Sequence, residues 1–411
     1  MPQWKKNVYV LWLAVFLAGI CWTMVMPFTP VFLRQLGVAP GVEEFWSGII
    51  IAVASVCSMV MAPIWGAIGD RYGRRMMMLR AGLFLMLGYI LLALVQSPLQ
   101  LLLVRMMIGL LTGFVPMAIA LIGVSTPRQH VGWALGLIQT GYPAGAIIGP
   151  VVGGLASDWI GIRGASWVSA VLIAVPLLMA MIIVKEEFTP TPRGQNNLVT
   201  ELKAAATHKV LVAIVLITVI SQATVMSLEP VLVPFVQQIA GANAPGWLAG
   251  LLYSIPGATY VLMAPWWARR GEQLGFERTV SLGLLATSGF YFLQTFVMSP
   301  WQLGGLRLAT GLTTAAIDPG VAAMIATAVP SALQGRAFGL NQAAGSAGSI
   351  VGPLLGGWIA SYINPRGVFV MVGLLCVAGF FWVKRVVGPQ VRAASMQHKA
   401  GINGQQDEAI G

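Results

Sequence analysis

Long apolar runs, separated by a few polar residues, dominate the chain from one end to the other. Each run holds roughly 20 residues, the length that an α-helix needs to cross about 30 Å of hydrocarbon. The short alternating segments that a membrane β-barrel requires do not occur. The pattern predicts an all-α membrane protein with twelve spans, near residues 8–33, 46–68, 76–95, 99–122, 132–157, 165–184, 209–237, 246–268, 278–297, 301–326, 336–361 and 366–387.

The longest polar interruption, 185–208, lies near the middle of the chain and contains prolines and charges. It predicts a linker between an N-terminal six-helix bundle, residues 1–184, and a C-terminal six-helix bundle, residues 209–388. The segment 389–411 is polar and ends in GINGQQDEAIG, and this composition predicts a disordered tail.

The two predicted bundles repeat one another in sequence. SPLQL at 97–101 corresponds to SPWQL at 299–303, and Arg105 corresponds to Arg307. Because each copy contains an even number of spans, the two copies have the same orientation in the membrane. Such parallel repeats predict two pseudo-symmetric bundles, an architecture known from secondary transporters.

Composition and charge agree with a membrane protein. The chain is 57% hydrophobic and 9% charged, whereas soluble domains are about 25% charged. A net charge of +11 fits nucleic-acid binding only until the charges are located, because Lys and Arg fall on alternate loops and only Arg34, Arg163 and Arg366 fall on the others. This bias places both termini, the linker and the tail in the cytoplasm. The charge therefore indicates topology and contact with anionic lipid, and no nucleic-acid partner.

Two glycine-rich segments, GLIQTGYPAGAIIGPVVGG at 136–154 and GLNQAAGSAGSIVGPLLGG at 339–357, follow one pattern, G-x8-G-x3-G-P-x2-G-G. Glycines four residues apart form a smooth stripe on which another helix can pack closely in lipid, and the proline bends the helix. The fixed positions are Gly136, Gly145, Gly149, Pro150, Gly153 and Gly154 in the first copy and Gly339, Gly348, Gly352, Pro353, Gly356 and Gly357 in the second.

The loop after the second predicted span reads GAIGDRYGRR. Its aspartate, Asp70, can face a helix N-terminus or an arginine. Its last glycine, Gly73, can close a helix end in a left-handed turn. A plain positive-inside turn would explain the arginines but not the other fixed positions. The fixed positions of this loop are Gly66, Asp70, Arg71, Gly73, Arg74 and Arg75. They form a candidate motif, and its role as a cytoplasmic gate motif comes from the family resemblance given below.

Four charged residues inside predicted spans are candidates for proton coupling, because a charge at membrane depth is costly unless it is paired or hydrated. They are Arg105, Glu229, Arg307 and Asp318. Glu229 and Arg307 lie at similar predicted depths, so we expect an ion pair or a shared water network between them. Glu229 and Asp318 are candidate protonatable groups. The alternative is that Asp318 caps a broken helix and Glu229 only neutralises Arg307.

Aromatic, methionine and amide side chains are candidates for the lining of a central cavity. Flexible methionines and flat aromatic rings suit varied lipophilic ligands, although each residue could instead face lipid or pack within the protein. The candidates are Trp22, Met26, Phe114, Gln139, Tyr142, Gln222, Met226, Asn341 and Gln342.

Signals of enzyme chemistry are missing from the sequence. There is no phosphate-binding loop that would hold ATP, no metal-ligand spacing and no strand–turn–helix setting for a dinucleotide. We therefore expect no enzyme activity, no metal, no cofactor and no use of ATP.

These motifs resemble, over the whole chain, the twelve-span drug:proton antiporter family of the major facilitator superfamily. GAIGDRYGRR resembles its G-x-L-x-D-R-x-G-R-K signature, the glycine helix resembles its antiporter motif, and Arg105 stands in its L-x-x-x-R-x-x-x-G frame. The stretch VMPFTPVFLRQLGV, followed by WSGI, is similar to a subgroup of bacterial multidrug exporters.

The resemblance implies a monomeric transporter of the bacterial inner membrane that exports small lipophilic or amphipathic compounds in exchange for protons. Its partners would be a small-molecule substrate, protons and membrane lipid. It also implies that Asp70 belongs to a cytoplasmic latch of the outward-open state and that Arg105 takes part in proton coupling. A structural hydrogen-bond hub is the alternative for Arg105. A proton-coupled importer of a metabolite and a non-transporting membrane sensor remain as other functions.

Overall fold

The computed structural model describes residues 1–186, 209–241, 244–329 and 331–391, without the side chains of Lys209, Ser331 and Ala332. Most of the predicted linker 185–208 and of the predicted tail 389–411 lies outside these residues. Within the described part of the chain every regular element is helical.

The described helices form twelve spans, numbered here in chain order. In the first half they are span 1 (Gln3–Val25, a 3₁₀ turn Met26–Phe28, and Thr29–Gln35), span 2 (Glu43–Tyr72), span 3 (Arg74–Leu94), span 4 (Pro98–Leu111 and Phe114–Ser125), and spans 5 and 6 (both within Val131–Ile183). In the second half they are span 7 (Lys209–Ser227 and Leu232–Ala240), span 8 (Gly246–Leu274), span 9 (Phe276–Gln294), span 10 (Pro300–Thr314 and Ile317–Ala328), span 11 (Ser331–Tyr362), and span 12 (Pro365–Trp382 with a π turn, Val383–Val387).

Ten described helical segments are long and apolar enough to cross a membrane. One of them, Val131–Ile183, has 53 residues and is divided into two crossings by Gly161, whose φ of 73° is not helical. Span 9 adds the twelfth crossing; it is 19 residues long but more polar, with Glu277 in its first turn. The predicted all-α architecture of twelve membrane helices is therefore confirmed.

The sequence repeat is also visible in how the helices begin. Spans 4 and 10 start at equivalent serines: the Ser97 hydroxyl accepts the Gln100 amide at 3.3 Å, and the Ser299 hydroxyl accepts the Gln302 amide at 3.4 Å. Each glutamine side chain also accepts the amide that precedes its serine. These contacts satisfy N–H groups that an uncapped helix start leaves without partners.

Spans 5 and 11 each carry the predicted glycine stripe and pack it against the first span of their own half. A Cβ added at Gly145 would lie 2.8 Å from the Ile20 nitrogen of span 1, and one at Gly352 would lie 2.6 Å from the Ala223 oxygen of span 7. Backbone atoms cannot move aside as a flexible side chain can. The stripe therefore allows helix axes to approach more closely than any other residue type would permit.

The loops on the two sides of the spans differ in charge, and we call the arginine-rich side the basic side and the opposite side the far side. The basic side carries the N-terminus, the turns at Gly73 and Gly275, and the arginines next to them. The far side carries the loop at 36–42 and the described residues Gly241, Ala244 and Pro245. Gly136 and Gly339, at the basic-side ends of the two stripes, have nothing within 4 Å of an added Cβ. The stripes are thus packed toward the far side and open toward the basic side.

We expect Gly145→Ala to lower the unfolding midpoint of the purified protein, because the added methyl meets the backbone of span 1. Overpacking of this kind costs about 1–3 kcal/mol. Gly136→Ala is the matched control, with the same substitution in the same motif but open space around it. Thermal unfolding in detergent, followed by tryptophan fluorescence, measures both. Equal midpoints for the two variants would contradict the close contact with span 1.

Candidate functional site

Two equivalent junctions join the halves on the far side. In the span 5–8 junction, Pro150, Gly154 and Asp158 of span 5 face the first turns of span 8; a Cβ added at Gly154 would lie 2.6 Å from the Trp247 Cα. Asp158 accepts the amides of Gly246 at 2.6 Å and of Trp247 at 3.1 Å.

The span 2–11 junction repeats this arrangement with Pro353, Gly357 and Ser361 of span 11. A Cβ added at Gly357 would lie 3.1 Å from the Phe45 Cα of span 2, and the Ser361 hydroxyl accepts the Phe45 amide at 3.0 Å. Contacts between backbones leave no room for water or solute. The two junctions therefore close the far side between the halves.

A cavity of about 600 Å³ lies between the halves, on the basic side of both junctions. Spans 2 and 11 illustrate the order: their cavity residues are at 54–62 and 341–349, whereas their junction residues are at 44–48 and 353–361. A second cavity of about 220 Å³ adjoins it within the first half, and five of its fifteen lining residues are aromatic. The site is therefore a pocket between the halves, closed at the far side.

Six of the predicted cavity residues line these two cavities, and three do not. The six are Trp22, Phe114, Tyr142, Gln222, Asn341 and Gln342. Met26 is buried in the 3₁₀ turn of span 1, Met226 packs against Gly352, and the Gln139 amide donates to the Leu135 carbonyl of its own helix at 3.3 Å.

The two walls of the larger cavity differ in chemistry. The second half supplies most of the polar groups: Thr218 donates to Asn341 at 2.6 Å, and Gln222 donates to Ser349 at 3.2 Å. The wall of the first half is made of small and apolar residues with a few hydroxyls, namely Trp22, Ala54, Ser55, Ser58, Met59, Ala62, Gly109, Thr112 and Pro116. This amphipathic lining suits a molecule that is partly lipophilic and partly polar.

Asp318 is the one charged residue among the residues that line the larger cavity. It lies in the first turn of the second segment of span 10, and its carboxylate accepts the Ser221 hydroxyl at 3.2 Å and the Tyr260 hydroxyl at 3.5 Å. Span 10 is broken between Thr314 and Ile317, as the alternative reading of Asp318 assumed. The cap of the segment is Ala316 and makes no side-chain bond, so the Asp318 carboxylate serves neighbouring spans 7 and 8 rather than its own helix.

Glu229 lies away from the cavity lining, in a break of span 7 between Ser227 and Leu232. It is 2% exposed, and its carboxylate faces the Tyr253 hydroxyl of span 8 and the positive charge of Arg105 in the first half. Pro230 follows it and prevents a continuous helix here. The sequence pattern predicted span 7 without this break.

The expected direct ion pair between Glu229 and Arg307 is wrong: the structure describes both residues and does not pair them. Arg307 instead donates to the backbone carbonyls of Leu252 at 2.6 Å and Tyr253 at 3.4 Å. Similar depths in two helices do not fix the directions in which their side chains point. The carbonyls of span 8 satisfy the Arg307 guanidinium, whereas Glu229 faces Tyr253 and Arg105.

Arg105 is 1% exposed, and its three side-chain nitrogens have no hydrogen-bond partner among the described residues. A buried guanidinium without acceptors is unstable unless water or a nearby negative charge compensates it. Its neighbours are Tyr89 and Glu229. The equivalent Arg307 has an equivalent tyrosine, Tyr291, beside it. Arg105 therefore does not act as a hub of direct protein hydrogen bonds in this conformation.

The predicted gate motif lies at the basic side, between spans 2 and 3. Asp70 pairs with Arg74 at 2.7 Å, within its own half, and Gly73 adopts the expected positive φ of 96°. The amides of Arg74 and Arg75 are accepted by Glu186 at 3.1 and 2.7 Å. Gly66 has nothing within 4 Å of an added Cβ, and Arg71 stacks on Tyr72 at 5.2 Å. The motif makes these contacts inside the first half.

Sequence reasoning missed the hydroxyl-bearing residues around the two carboxylates. Ser221 and Tyr260 donate hydrogen bonds to Asp318, and the Tyr253 hydroxyl lies beside Glu229. One signal was available: Thr218, Ser221 and Gln222 are polar residues at helical spacing within an otherwise apolar span. Polar groups that share one face of a membrane helix indicate a protein-facing or water-facing surface.

Comparison with known families agrees with this architecture. The family model described as "Major Facilitator Superfamily" matches residues 11–258 and, in a second match, residues 214–402. The chain therefore belongs to the major facilitator superfamily, and it is a transporter rather than an enzyme. The two matches overlap at 214–258 and together cover residues 11–402.

Curated relatives include "Multidrug resistance protein MdtG" of Citrobacter koseri, 34% identical over 370 residues, which covers 89% of this chain and 91% of that protein. The protein of the same name from Serratia proteamaculans is 33% identical over 376 residues, covering 91% and 92%. The similarity to this subgroup, expected from the sequence around the first span, is confirmed.

Solved structures share the fold at lower identity. A bacterial homologue of the human lysosomal transporter Spinster, "in Inward-facing And Unoccupied Conformation", has a TM-score of 0.77 and 14% identity over 96% of this chain and 97% of that chain. The human organic anion transporter MFSD10 (TETRAN) has a TM-score of 0.67 and 20% identity over 93% and 100%.

The cavity and the junctions predict opposite reactivities for two serines. In a chain whose native cysteines are replaced by alanine, Ser346→Cys should react rapidly with a water-soluble thiol reagent added from the basic side, because it lines the open cavity. Ser47→Cys, in the span 2–11 junction region and 0% exposed, is the control and should react slowly. Labelling rates in membrane vesicles measure both, and equal rates would contradict the closed far side.

Proposed function

We propose that this protein is a secondary active efflux transporter that exports small lipophilic or amphipathic compounds in exchange for protons by alternating access. The observation that carries the proposal is the amphipathic cavity between the halves, closed at the far side and lined by Asp318. The relatives named for multidrug resistance support export of drug-like compounds. We propose the proton gradient as the energy source, with no cofactor.

The orientation follows from charge. Arginine- and lysine-rich loops remain on the cytoplasmic side of a bacterial inner membrane. The basic side is then cytoplasmic, both termini are cytoplasmic, and the cavity receives its cargo from the cytoplasm. The protein would act as a monomer, since one chain encloses the cavity between its own halves.

The two carboxylates take different roles in this proposal. Asp318 faces the cavity and would hold a cationic or hydrogen-bonding group of the cargo. Glu229 lies at the contact of the halves, attracted to Arg105 of the other half. Protonation of Glu229 would remove that attraction. Binding of a proton to Glu229 would therefore weaken the attraction between the two halves. Proton movement would in this way be coupled to the rocking of the halves.

The direction of transport separates this proposal from a proton-coupled importer. In everted vesicles with an acidic interior, an antiporter releases protons when cargo is added outside. An importer would release them only with cargo loaded inside. Relatives named for resistance favour export, because resistance requires removal of a compound from the cell.

We expect Glu229→Gln to abolish cargo-induced proton release in such vesicles, because it cannot lose a proton. A pH-sensitive dye reports the release, with a lipophilic cation, tetraphenylphosphonium, as the probe and a broad panel of drugs beside it.

Asp318→Asn should raise the half-saturating concentration of the cation about tenfold, the scale of one lost charge-assisted contact. Glu272→Gln, exposed at the basic side, is the matched control and should behave as wild type.

Full exchange in both Glu229→Gln and Asp318→Asn would refute the assigned roles. Release that depends on ATP, or no response to any compound of the panel in the unaltered protein, would refute the proposed function itself.

A further inference from the structure

The span 5–8 junction contains a contact that joins the two halves through a charge. Span 8 begins after Pro245, which has no side chain able to cap a helix, so the first amides of span 8 lack a local partner. The Asp158 carboxylate of span 5 supplies it from the opposite half, with one oxygen on the Gly246 amide and the other on the Trp247 amide. The helix is thus capped by the other half of the protein.

The span 2–11 junction has the same geometry but weaker chemistry. Span 2 begins after Val42, which also makes no side-chain cap. The Ser361 hydroxyl, at the position equivalent to Asp158, accepts one amide, that of Phe45, at 3.0 Å. One junction is therefore held by a carboxylate with two amides, and the other by a neutral hydroxyl with one. Charge-assisted bonds at a helix N-terminus are stronger than neutral ones.

These bonds join the two halves in the conformation that is closed on the far side. Asp158 is in the last turn of span 5, and both acceptor bonds cross between the halves. If the halves rock apart on the far side, the Asp158 carboxylate moves away from the span 8 amides, and both bonds break. Water can replace the bonds, but it does not reproduce a carboxylate fixed at the helix end.

We propose that Asp158 is a positioning residue of the transport cycle: it caps span 8 across the two halves and thereby favours the conformation that is closed on the far side. Ser361 makes the equivalent but weaker contact. The inference rests on the proposed alternating access, since it concerns the ratio of the two conformations. It adds a residue that the family motifs of this chain, at 66–75 and 136–154, do not include.

The test measures that ratio directly. Spin labels at Ala39→Cys in the first half and Met298→Cys in the second, both exposed on the far side, report the far-side separation by pulsed electron paramagnetic resonance. The full-length protein is used in lipid nanodiscs, with its native cysteines replaced by alanine. Asp158→Ala should increase the ratio of long to short distances about fivefold, the scale of one lost helix cap.

Two further variants distinguish capping from a general packing defect. Asp158→Asn keeps an acceptor oxygen and should shift the ratio less than Asp158→Ala. Ser361→Ala should also shift it less, because it removes one neutral bond. Each variant is first shown to be monodisperse by gel filtration, so that a misfolded protein is not measured.

An unchanged distance distribution in Asp158→Ala would overturn the proposal, and so would a shift in Ser361→Ala as large as that in Asp158→Ala. These outcomes are separate from failure of the proposed function. That failure appears as absent cargo-induced proton release in vesicles of the unaltered protein, whereas the distance measurement needs neither cargo nor a gradient.

Discussion

Contact between helix backbones is the constraint on which the rest of this structure depends. Within each half, glycines of spans 5 and 11 bring these helices against spans 1 and 7 with no side chain between them. The last glycine of each stripe, Gly154 or Gly357, does the same across the halves. One helical face therefore serves both the packing of a half and the closing of the far side. A side chain at these positions would separate the backbones and open the seal.

The repeat supplies the scaffold twice, and single substitutions make the two halves chemically unequal. Glu229 occupies the position of Met26 in the first half, each followed by a proline, and Asp318 occupies the position of Val115. Both carboxylates thus belong to the second half, while the unpartnered guanidinium of Arg105 belongs to the first. The same inequality appears at the junctions, where Asp158 corresponds to Ser361. The fold is repeated in the two halves, but their charged residues differ, and Asp158 makes its contacts across the halves.

Much of this architecture could be predicted from the sequence because membrane helices and glycine stripes leave local signals. Run length indicates a span, and glycine spacing indicates a packing face. Pairing between distant helices leaves no such signal. The depth of Glu229 and Arg307 follows from helical rise, but the direction of each side chain depends on span 8, whose carbonyls satisfy Arg307. The caps supplied by Asp158 and Ser361 join segments far apart in the chain, so no local pattern reveals them.

A reversible cross-link across one junction tests most directly whether the far side must open during transport. Phe45→Cys and Ser361→Cys place thiols at a contact where the hydroxyl now accepts the Phe45 amide at 3.0 Å. With the native cysteines replaced, oxidation should hold the far side closed. Cargo-driven proton exchange should stop on oxidation and return on reduction. Exchange at the unmodified rate with the cross-link intact would contradict alternating access through this junction.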